Sequence, residues 1–461
     1  MAIQKSWNMK DRTIKKVAAV TLGCKLNYAE TSTILDDLCK NGWTLSTVEK
    51  GADLVIIHTC AVTKQAEQKC RQKIRAIIKK NPDSRIAVIG CYSQLHPETL
   101  SEIDGINAIL GSNDKFEMQW YKNISNDTSP NPLVKVTPAD TLEAIFPGYS
   151  LPAHESPDRT RAFLKIQDGC NYGCSYCTIP LIRGKSRSVP AGQIVRRASL
   201  LAASGYREIV LTGVNTGDYR FGDVTLCDLL QKLEEINISR IRISSIEPDI
   251  VDQKLISLVA ASKTIVPHFH IPLQSGSDNI LRAMRRRYDT ELYRSKVLHA
   301  VECIPECAIG ADVMVGYPGE TENDFQCMYH FIEELPLAYL HVFSCSVRPG
   351  TALAEQIDNH LRKPVASEEI ARRYRQLVDL GRQKEAHFKA RSVGNVYMVL
   401  FEASRQMQTG MQQCSGYTRN YQRVQVESSE HQMIQALKGN EVPVMIDSLD
   451  DDLNLKGRVL S

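Results

Sequence analysis

Three cysteines fall within eight residues at the end of an apolar stretch, RAFLKIQDGCNYGCSYCTIP at 161–180, as Cys170, Cys174 and Cys177. The C-x3-C-x2-C spacing is compact enough for one loop to wrap a single metal cluster. Three thiolates leave the fourth iron of a 4Fe-4S cluster without a protein ligand, and an open coordination position is what a catalytic centre needs. A structural zinc site wants a fourth Cys or His. The nearest histidines in sequence are His154 and His268, so zinc is the weaker reading. The chain has 14 cysteines in 461 residues, too sparse for a disulfide scaffold. In a reducing compartment, clustered cysteines bind metal or do chemistry more often than they form bridges.

The first third carries a second set. KVAAVTLG at 16–23, DLVIIHT at 53–59 and RIAVIG at 85–90 read as strands. The continuous apolar runs are those of strands covered on both faces. Helical patterns alternate with them, including the basic amphipathic segment 64–80 that ends at Asn81-Pro82. The expectation is a doubly wound parallel sheet. One cysteine follows each strand: Cys24, Cys60 and Cys91. Ligands of such sheets bind outside the carboxyl ends of the strands, so these thiols can converge. Zinc and an iron–sulfur cluster both remain open for them. Cys39 and Cys70 fall inside helices and read as packing or surface residues.

Residues 121–158 are rich in Asn, Ser and Pro and read as a surface linker. Beyond it, strands at 161–166, 207–213, 240–246, 266–273, 308–316 and 338–344 alternate with helices near 190–204, 225–236, 249–261, 289–302 and 321–334. Six such units make a partial (β/α)6 barrel, with its site at the carboxyl ends of the strands. Residues 392–461 then alternate as short strands punctuated by Gly394, Gly416 and Gly439, as in a small β-barrel. The fold class is α/β. The expected domains are 1–120, a linker 121–158, 159–390 and 391–461, consistent with about 150 residues per domain.

Net charge is +3, from 56 Lys+Arg and 53 Asp+Glu, so any nucleic-acid surface must be local. Arg183, Lys185 and Arg187 follow the cysteine loop, where they suit phosphate contact. Arg285, Arg286 and Arg287 form another basic run, and segment 362–391 holds nine Lys+Arg against four Asp+Glu. GYTRNYQRV at 416–424 interleaves Tyr417 and Tyr421 with Arg419 and Arg423, a mixture suited to stacking on unpaired bases while holding phosphate. No window reaches the ~18 apolar residues of a membrane span. The N-terminus lacks the apolar core of a signal peptide. A cytoplasmic protein is expected.

With these motifs the chain resembles the radical S-adenosylmethionine superfamily, and within it the methylthiotransferases. GCKLNYAET, HTCAVT and GCY are similar to their N-terminal domain. QDGCNYGCSYCTIPLIRGKSRS, LTGVNTGDY, RISSIEP, HIPLQSGSD, ADVMVGYPGETE and LHVFSCSVRPGT are similar to their radical domain. Residues 391–461 resemble their TRAM domain. Lys25 and the IPLIRGKSRS stretch are most similar to the branch acting on N6-threonylcarbamoyladenosine in tRNA. Other branches modify isopentenyladenosine or a ribosomal-protein aspartate, and the GYTRNY stretch favours RNA over protein. A non-enzymatic iron–sulfur redox sensor that binds RNA is the third reading, and the open-site loop on a barrel speaks against it. Cys345 departs from the family pattern, which carries Tyr there, and implies local repacking.

The resemblance implies two 4Fe-4S clusters, one on Cys170, Cys174 and Cys177 and an auxiliary one on Cys24, Cys60 and Cys91. It implies S-adenosylmethionine as source of a 5′-deoxyadenosyl radical and of the methyl group, with tRNA and an unidentified electron donor as partners of a monomer. Beside the cluster, Tyr176, Thr212, Gly213, Val214 and Asn215 become cofactor-binding candidates. Ser245, Glu247 and Gln274 at strand ends, and Asp312 within the fifth strand, could contact cofactor or substrate. His268 and His270 share one face of their strand and become site candidates if that face is the barrel interior.

Overall fold

The computed structural model describes residues 15–126, 129, 131–155, 160–407 and 410–460. The first thirteen residues, read above for a signal peptide, and Asp127, Pro130 and Pro157 of the expected linker lie outside the described residues. The chain divides into two compact units, Met1–Pro138 and Ala139–Ser461.

In the first unit, β1 (Lys15–Thr21), β2 (Trp43–Leu45), β3 (Leu54–Thr59), β4 (Arg85–Gly90), β5 (Ala108–Leu110) and β6 (Leu133–Lys135) form one parallel sheet in the order 2-1-3-4-5-6. Every residue of β3 is buried, and so is every residue of β4 after Arg85. Helices α1 (Lys25–Lys40), α2 (Lys64–Lys80), α3 (Cys91–Leu95) and α4 (Met118–Asn126) accompany the sheet. Ile34 and Leu38 of α1 and Tyr121 of α4 join the core with Leu54, Ile56 and Ile89 of the central strands. The strand order reverses between β1 and β3, so the crevice of this sheet opens at their carboxyl ends.

The sequence pattern points to three strands here and the sheet has six. The additional strands have three residues each, too short to show a period. Two of the new elements correct the expected linker: α4 covers its start, and β6 pairs in parallel with β5.

The second unit begins with six parallel strands in sequential order: β7 (Arg161–Lys165), β8 (Glu208–Thr212), β9 (Arg240–Ile243), β10 (His268–His270), β11 (Ala308–Val315) and β12 (Tyr339–Ser344). Only the bridges Ile241–Ile265 and Ser245–His270 join the two three-stranded halves among the described residues. Crossover helices α5 (Ala191–Ala203), α6 (Leu226–Glu234), α7 (Gln253–Ala261), α8 (Thr290–Cys303) and α9 (Glu322–Glu334) bury Ile194, Leu229, Ile256, Val297 and Phe325 in a common core with the strands. Thr225 and Thr321 start α6 and α9 with capping boxes to Asp228 and Asp324, which satisfies otherwise orphaned N–H groups. Gly310 is required: a Cβ there would lie 2.1 Å from the Tyr339 ring that crosses β11.

The chain then runs through α10 (Ser367–Ala390), which packs on β12. It ends in a closed barrel of β13 (Val396–Gln406), β14 (Gln412–Thr418), β15 (Arg423–Ser428), β16 (Glu441–Leu449) and β17 (Leu455–Val459), ordered 13-14-15-17-16. Its core is Val399, Phe401, Cys414, Val424, Val426, Val444, Ile446 and Leu455.

The small barrel is seated on the amino ends of the large barrel's strands. Arg240 reaches out to the Tyr417 and Met398 carbonyls, 2.8 Å each, and to Glu441 at 2.9 Å. Arg419 reaches back to the Ser239 carbonyl at 3.1 Å and to that of Lys263. Asn420 donates to the Glu306 carbonyl at 2.9 Å.

Candidate active site

The cysteine loop leaves β7 through Gln167 and Asp168. Gly169 has φ +70°, and a Cβ there would lie 2.0 Å from the Lys185 carbonyl oxygen, so only glycine lets the two backbones cross. Ser175 bolts the loop's centre to the barrel. Its amide donates to the Met284 carbonyl at 3.0 Å, and its hydroxyl lies 2.8 Å from Tyr317 Oη. Tyr172 donates to Asp249 at 2.6 Å. Each sulfur of the loop accepts one N–H bond: Cys170 from Tyr172 N at 3.4 Å, Cys177 from Ile179 N at 3.5 Å, and Cys174 from Arg286 Nη1 at 3.0 Å. Burial pushes Cys170 up to about 11 and Cys177 up to about 12. Such thiols keep their protons until a metal displaces them. Three free, N–H-bonded thiols on a rigid loop at the carboxyl end of a barrel strand fit a cluster with one open iron.

Gln167 ties this loop to the turn after β8. Its Oε1 accepts from Val214 N at 2.9 Å and Asn215 N at 3.0 Å, and its Nε2 donates to the Gly169 carbonyl at 2.7 Å. The Val214 amide is therefore occupied within the protein, and the Gly213 Cβ position is filled by Gln167 itself. What this turn leaves open is a set of polar side-chain atoms. Thr212 Oγ1, both amide atoms of Asn215 and Gln274 Oε1 are buried with no hydrogen-bond partner among the described residues. Buried polar atoms are nearly always satisfied, so this set fits the polar groups of a bound cofactor such as S-adenosylmethionine.

The other candidates around the barrel are already engaged with neighbouring side chains. Glu247 pairs with Arg286. Burial pushes its carboxyl up to about 7 although Arg286 opposes the shift. Ser245 Oγ lies 2.7 Å from His270 Nδ1, and Asp312 Oδ1 is 3.0 Å from His270 Nε2 and 3.2 Å from His341 Nδ1. Burial alone would raise Asp312, but the two imidazoles hold it down at about 2. His270, Asp312 and His341 bring three donor atoms within 4.8 Å of one another, a set chemically able to take a divalent cation. In this structure His341 hydrogen-bonds Asp312, and His270 Nε2 stands at ion-pair distance from the same oxygen. His268 lies nearer the closed end, 2.8 Å from Tyr339 Oη. Tyr176 and Cys345 both pack against the buried cluster of Ile280, Met284, Met314, Tyr317 and Leu353.

In the first unit, Cys24 caps α1, Cys60 follows β3 directly and Cys91 opens α3. Gly23, with φ +118°, carries the Cys24 turn so close that a Cβ would lie 3.0 Å from Cys60 Cβ. Gly90, with φ +98°, lets β4 turn where a Cβ would strike the His58 ring at 2.3 Å. Burial, with the neighbouring Cys91, Cys24 and Cys70 thiols, pushes Cys60 up to about 12. The three strand-end thiols are thus neighbours at the crevice of the first sheet. Cys70 does more than pack: its sulfur lies 3.5 Å from both the amide nitrogen and the carbonyl oxygen of Cys60. Only the buried face of α2 signals it in the sequence.

Two family models match the chain: the Radical SAM superfamily over residues 164–332, and the family described as Uncharacterized protein family UPF0004 over residues 16–111. The chain is 36% identical to the Threonylcarbamoyladenosine tRNA methylthiotransferase MtaB of Bacillus subtilis, over 90% of this chain and 91% of that protein. The chain belongs to the radical S-adenosylmethionine methylthiotransferase family. It is 34% identical to the Aquifex aeolicus protein of the same name, over 82% of this chain and 91% of that one. A tRNA-2-methylthio-N(6)-dimethylallyladenosine synthase of Thermodesulfovibrio yellowstonii is also 34% identical, over 75% and 79% of the two chains. Among solved structures, the radical S-adenosylmethionine methyltransferase TsrM of Kitasatospora setae shares the fold, with a TM-score of 0.54 at 15% identity over 75% of each chain. As a radical methylthiotransferase the chain is an enzyme using S-adenosylmethionine and a 4Fe-4S cluster. No helix among the described residues is long and apolar enough to cross a membrane.

In this methylthiotransferase the expected RNA-contacting residues divide sharply. Arg183 is buried and donates to Asp168 at 2.9 Å, which also holds Lys165 at 2.6 Å. Arg187 donates to the Ala144 carbonyl at 2.8 Å and the Arg183 carbonyl at 2.6 Å. Tyr417 and Tyr421 stack on each other at 5.0 Å, with Arg161 4.9 Å from the Tyr417 ring. Tyr421 also meets His268 at 4.9 Å. Arg419, Tyr417 and Tyr421 are therefore engaged in the junction between the barrels, and each remains half-exposed. Lys185 and Arg423 remain exposed. Part of the segment 362–391 is likewise engaged internally: Arg372 and Arg373 pair with Glu322, Arg373 with Glu320, and Lys389 with Glu385. Of the 285–287 run, Arg285 and Arg287 are turned outward and Arg286 inward.

Proposed function

We propose that this enzyme converts N6-threonylcarbamoyladenosine beside the anticodon of tRNA to its 2-methylthio derivative. The observation that carries this reading is the pair of three-cysteine sites, one in each unit, in a chain whose relatives named for this reaction align along most of its length. The chain works as a cytoplasmic monomer with tRNA and an external one-electron donor. Two 4Fe-4S clusters and S-adenosylmethionine supply, when bound, the radical, the sulfur and the methyl group.

The protein's share is holding, orienting and excluding water. Cys170, Cys174 and Cys177 hold the radical cluster, and Ser175 and Gln167 fix their loop. Thr212, Asn215 and Gln274 offer the unpaired polar atoms that orient the cofactor at the mouth. Glu247 near neutrality, with Ser245 and the Asp312–His270 pair, borders the same mouth and orients bound groups there. Cys24, Cys60 and Cys91 hold the auxiliary cluster at the crevice of the first sheet. tRNA phosphates meet cations that face solvent. These are Lys185 and Arg423 in the second unit and, in the first, the outer face of α2, where Lys69, Lys73, Arg75, Lys79 and Lys80 are exposed and make no ion pair among the described residues.

The test is nucleoside mass spectrometry of tRNA from cells lacking the gene, complemented with wild type or with Cys170→Ala. Loss of the 2-methylthio derivative of N6-threonylcarbamoyladenosine, restored by wild type alone, is the expected result. Loss of the isopentenyladenosine derivative in its place assigns the neighbouring branch.

A further inference from the structure

The three sulfurs of the central loop differ in one respect. Cys170 and Cys177 take their hydrogen bonds from backbone amides of the loop, whereas Cys174 takes its bond from the side chain of Arg286. That side chain is 3% exposed and is held from two other directions. Its Nε donates to Tyr288 Oη at 3.1 Å, and its Nη2 pairs with Glu247. Tyr288 is itself fixed, its single O–H lying between the Pro272 and Leu273 carbonyls at 2.9 and 2.8 Å. A cation pinned in this way and aimed at a thiol 3.0 Å distant is a built contact.

We infer that Arg286 sets the reduction potential of the cluster carried by Cys170, Cys174 and Cys177, through its hydrogen bond to the Cys174 sulfur. This rests on the proposed cluster assignment. Adding one electron makes the cluster more negative. Hydrogen bonds to the sulfurs and nearby positive charge stabilise that reduced state and raise the potential. Charge-assisted bonds are roughly twice as strong as neutral ones, so Arg286 outweighs either backbone donor. Glu247 tempers the effect, since its carboxylate stands against the same guanidinium.

The experiment uses full-length chains carrying Cys24→Ala, Cys60→Ala and Cys91→Ala, so that a single cluster is observed. Potentiometric titration is followed by electron paramagnetic resonance of the reduced cluster, without S-adenosylmethionine. Iron content is measured in parallel. Arg286→Gln should keep about four irons and shift the midpoint to a more negative potential. At a fixed potential the ratio of reduced to oxidised cluster should fall on the order of tenfold, which is 59 mV for a one-electron couple. Arg286→Lys keeps the charge but cannot match the three-way geometry, and should fall between. An unchanged midpoint in an iron-replete Arg286→Gln chain overturns the inference. Loss of iron from both variants also overturns it, because Arg286 would then be a strut for the loop. Absence of a 4Fe-4S signal in the chain with native Arg286 sinks the cluster assignment itself, a separate outcome.

Discussion

Arg242 stands 4.8 Å from the centre of the Tyr421 ring, within the junction where the small barrel meets the large one. The same guanidinium holds Glu208 through its Nε at 2.7 Å and donates to the Arg419 carbonyl at 3.1 Å. Tyr421 has φ +67°, a conformation few tyrosines adopt, and this turns its ring toward the strand ends of the large barrel. A motif whose residue types suit RNA stacking takes part here in joining the two barrels of the second unit.

Tyr421→Ala is therefore expected to lower stability first. Truncating a fully buried aromatic costs about 3 kcal/mol or more, so the half-buried Tyr421 should cost about 2 kcal/mol. The cation–π contact with Arg242 adds to the loss. Thermal denaturation of the variant should show a lowered midpoint. Unchanged stability combined with weakened tRNA binding would restore the stacking role.

Glu208 gives the junction a pH dependence. Its carboxyl is fully buried, and Arg242 with Arg161 and Arg240 holds it at about 2, below its ordinary value of 4.5. A depressed pKa contributes stability above 4.5, which is lost as pH falls toward about 2. Glu208→Gln should cost about 3–5 kcal/mol at neutral pH, since it strands buried guanidinium charge. It should also flatten the acid limb of the stability curve in that window. Urea unfolding at pH 7 and pH 3 measures both effects. Parallel acid limbs for the two proteins would refute the assignment.

The long elements are legible in the sequence because their periodicity is long. DLVIIHT and RIAVIG announce buried strands, and each of the six large-barrel strands falls where its apolar run predicts. The cysteine positions are legible because each follows an apolar run that becomes a strand, Cys60 directly after β3 and Cys91 directly after β4. What escapes is whatever depends on partners far away in sequence. Arg183 has the residue type and position of a phosphate ligand, yet Asp168 holds it inside the protein. Arg286 is one of three adjacent arginines, and nothing local says which one turns toward Cys174. The strands Ala108–Leu110 and Leu133–Lys135 are ordered by the sheet edge they extend, not by their own pattern.

Two sites of three thiols predict metal content and a division of labour. Reconstituted wild type should hold about eight irons, and the Cys170→Ala, Cys174→Ala, Cys177→Ala chain about four. The chain altered at Cys24, Cys60 and Cys91 should still cleave S-adenosylmethionine to 5′-deoxyadenosine but form no methylthio product. Both products are assayed in one reaction. Full methylthiolation by that chain would end the division.

The outer face of α2 is the proposed RNA surface of the first unit. The helix carries seven Lys+Arg against the single acid Glu67. Lys69, Lys73, Arg75 and Lys79 project to solvent and make no ion pair among the described residues, so they are placed to neutralise phosphate. Removing one phosphate-binding cation should reduce the slope of log affinity against log salt by about 1. Replacing these four by Ala should weaken tRNA binding by tenfold or more at low salt, on the order of 1.4 kcal/mol per decade, and flatten its salt dependence. S-adenosylmethionine cleavage without tRNA should be unaffected, because these side chains are outside the central cysteine loop. Fluorescence-anisotropy titrations at several salt concentrations provide the measurement, with a Lys185→Ala, Arg423→Ala chain as the comparison. If affinity and slope fall only in the comparison chain, tRNA is held by the second unit, and α2 is a solvated face.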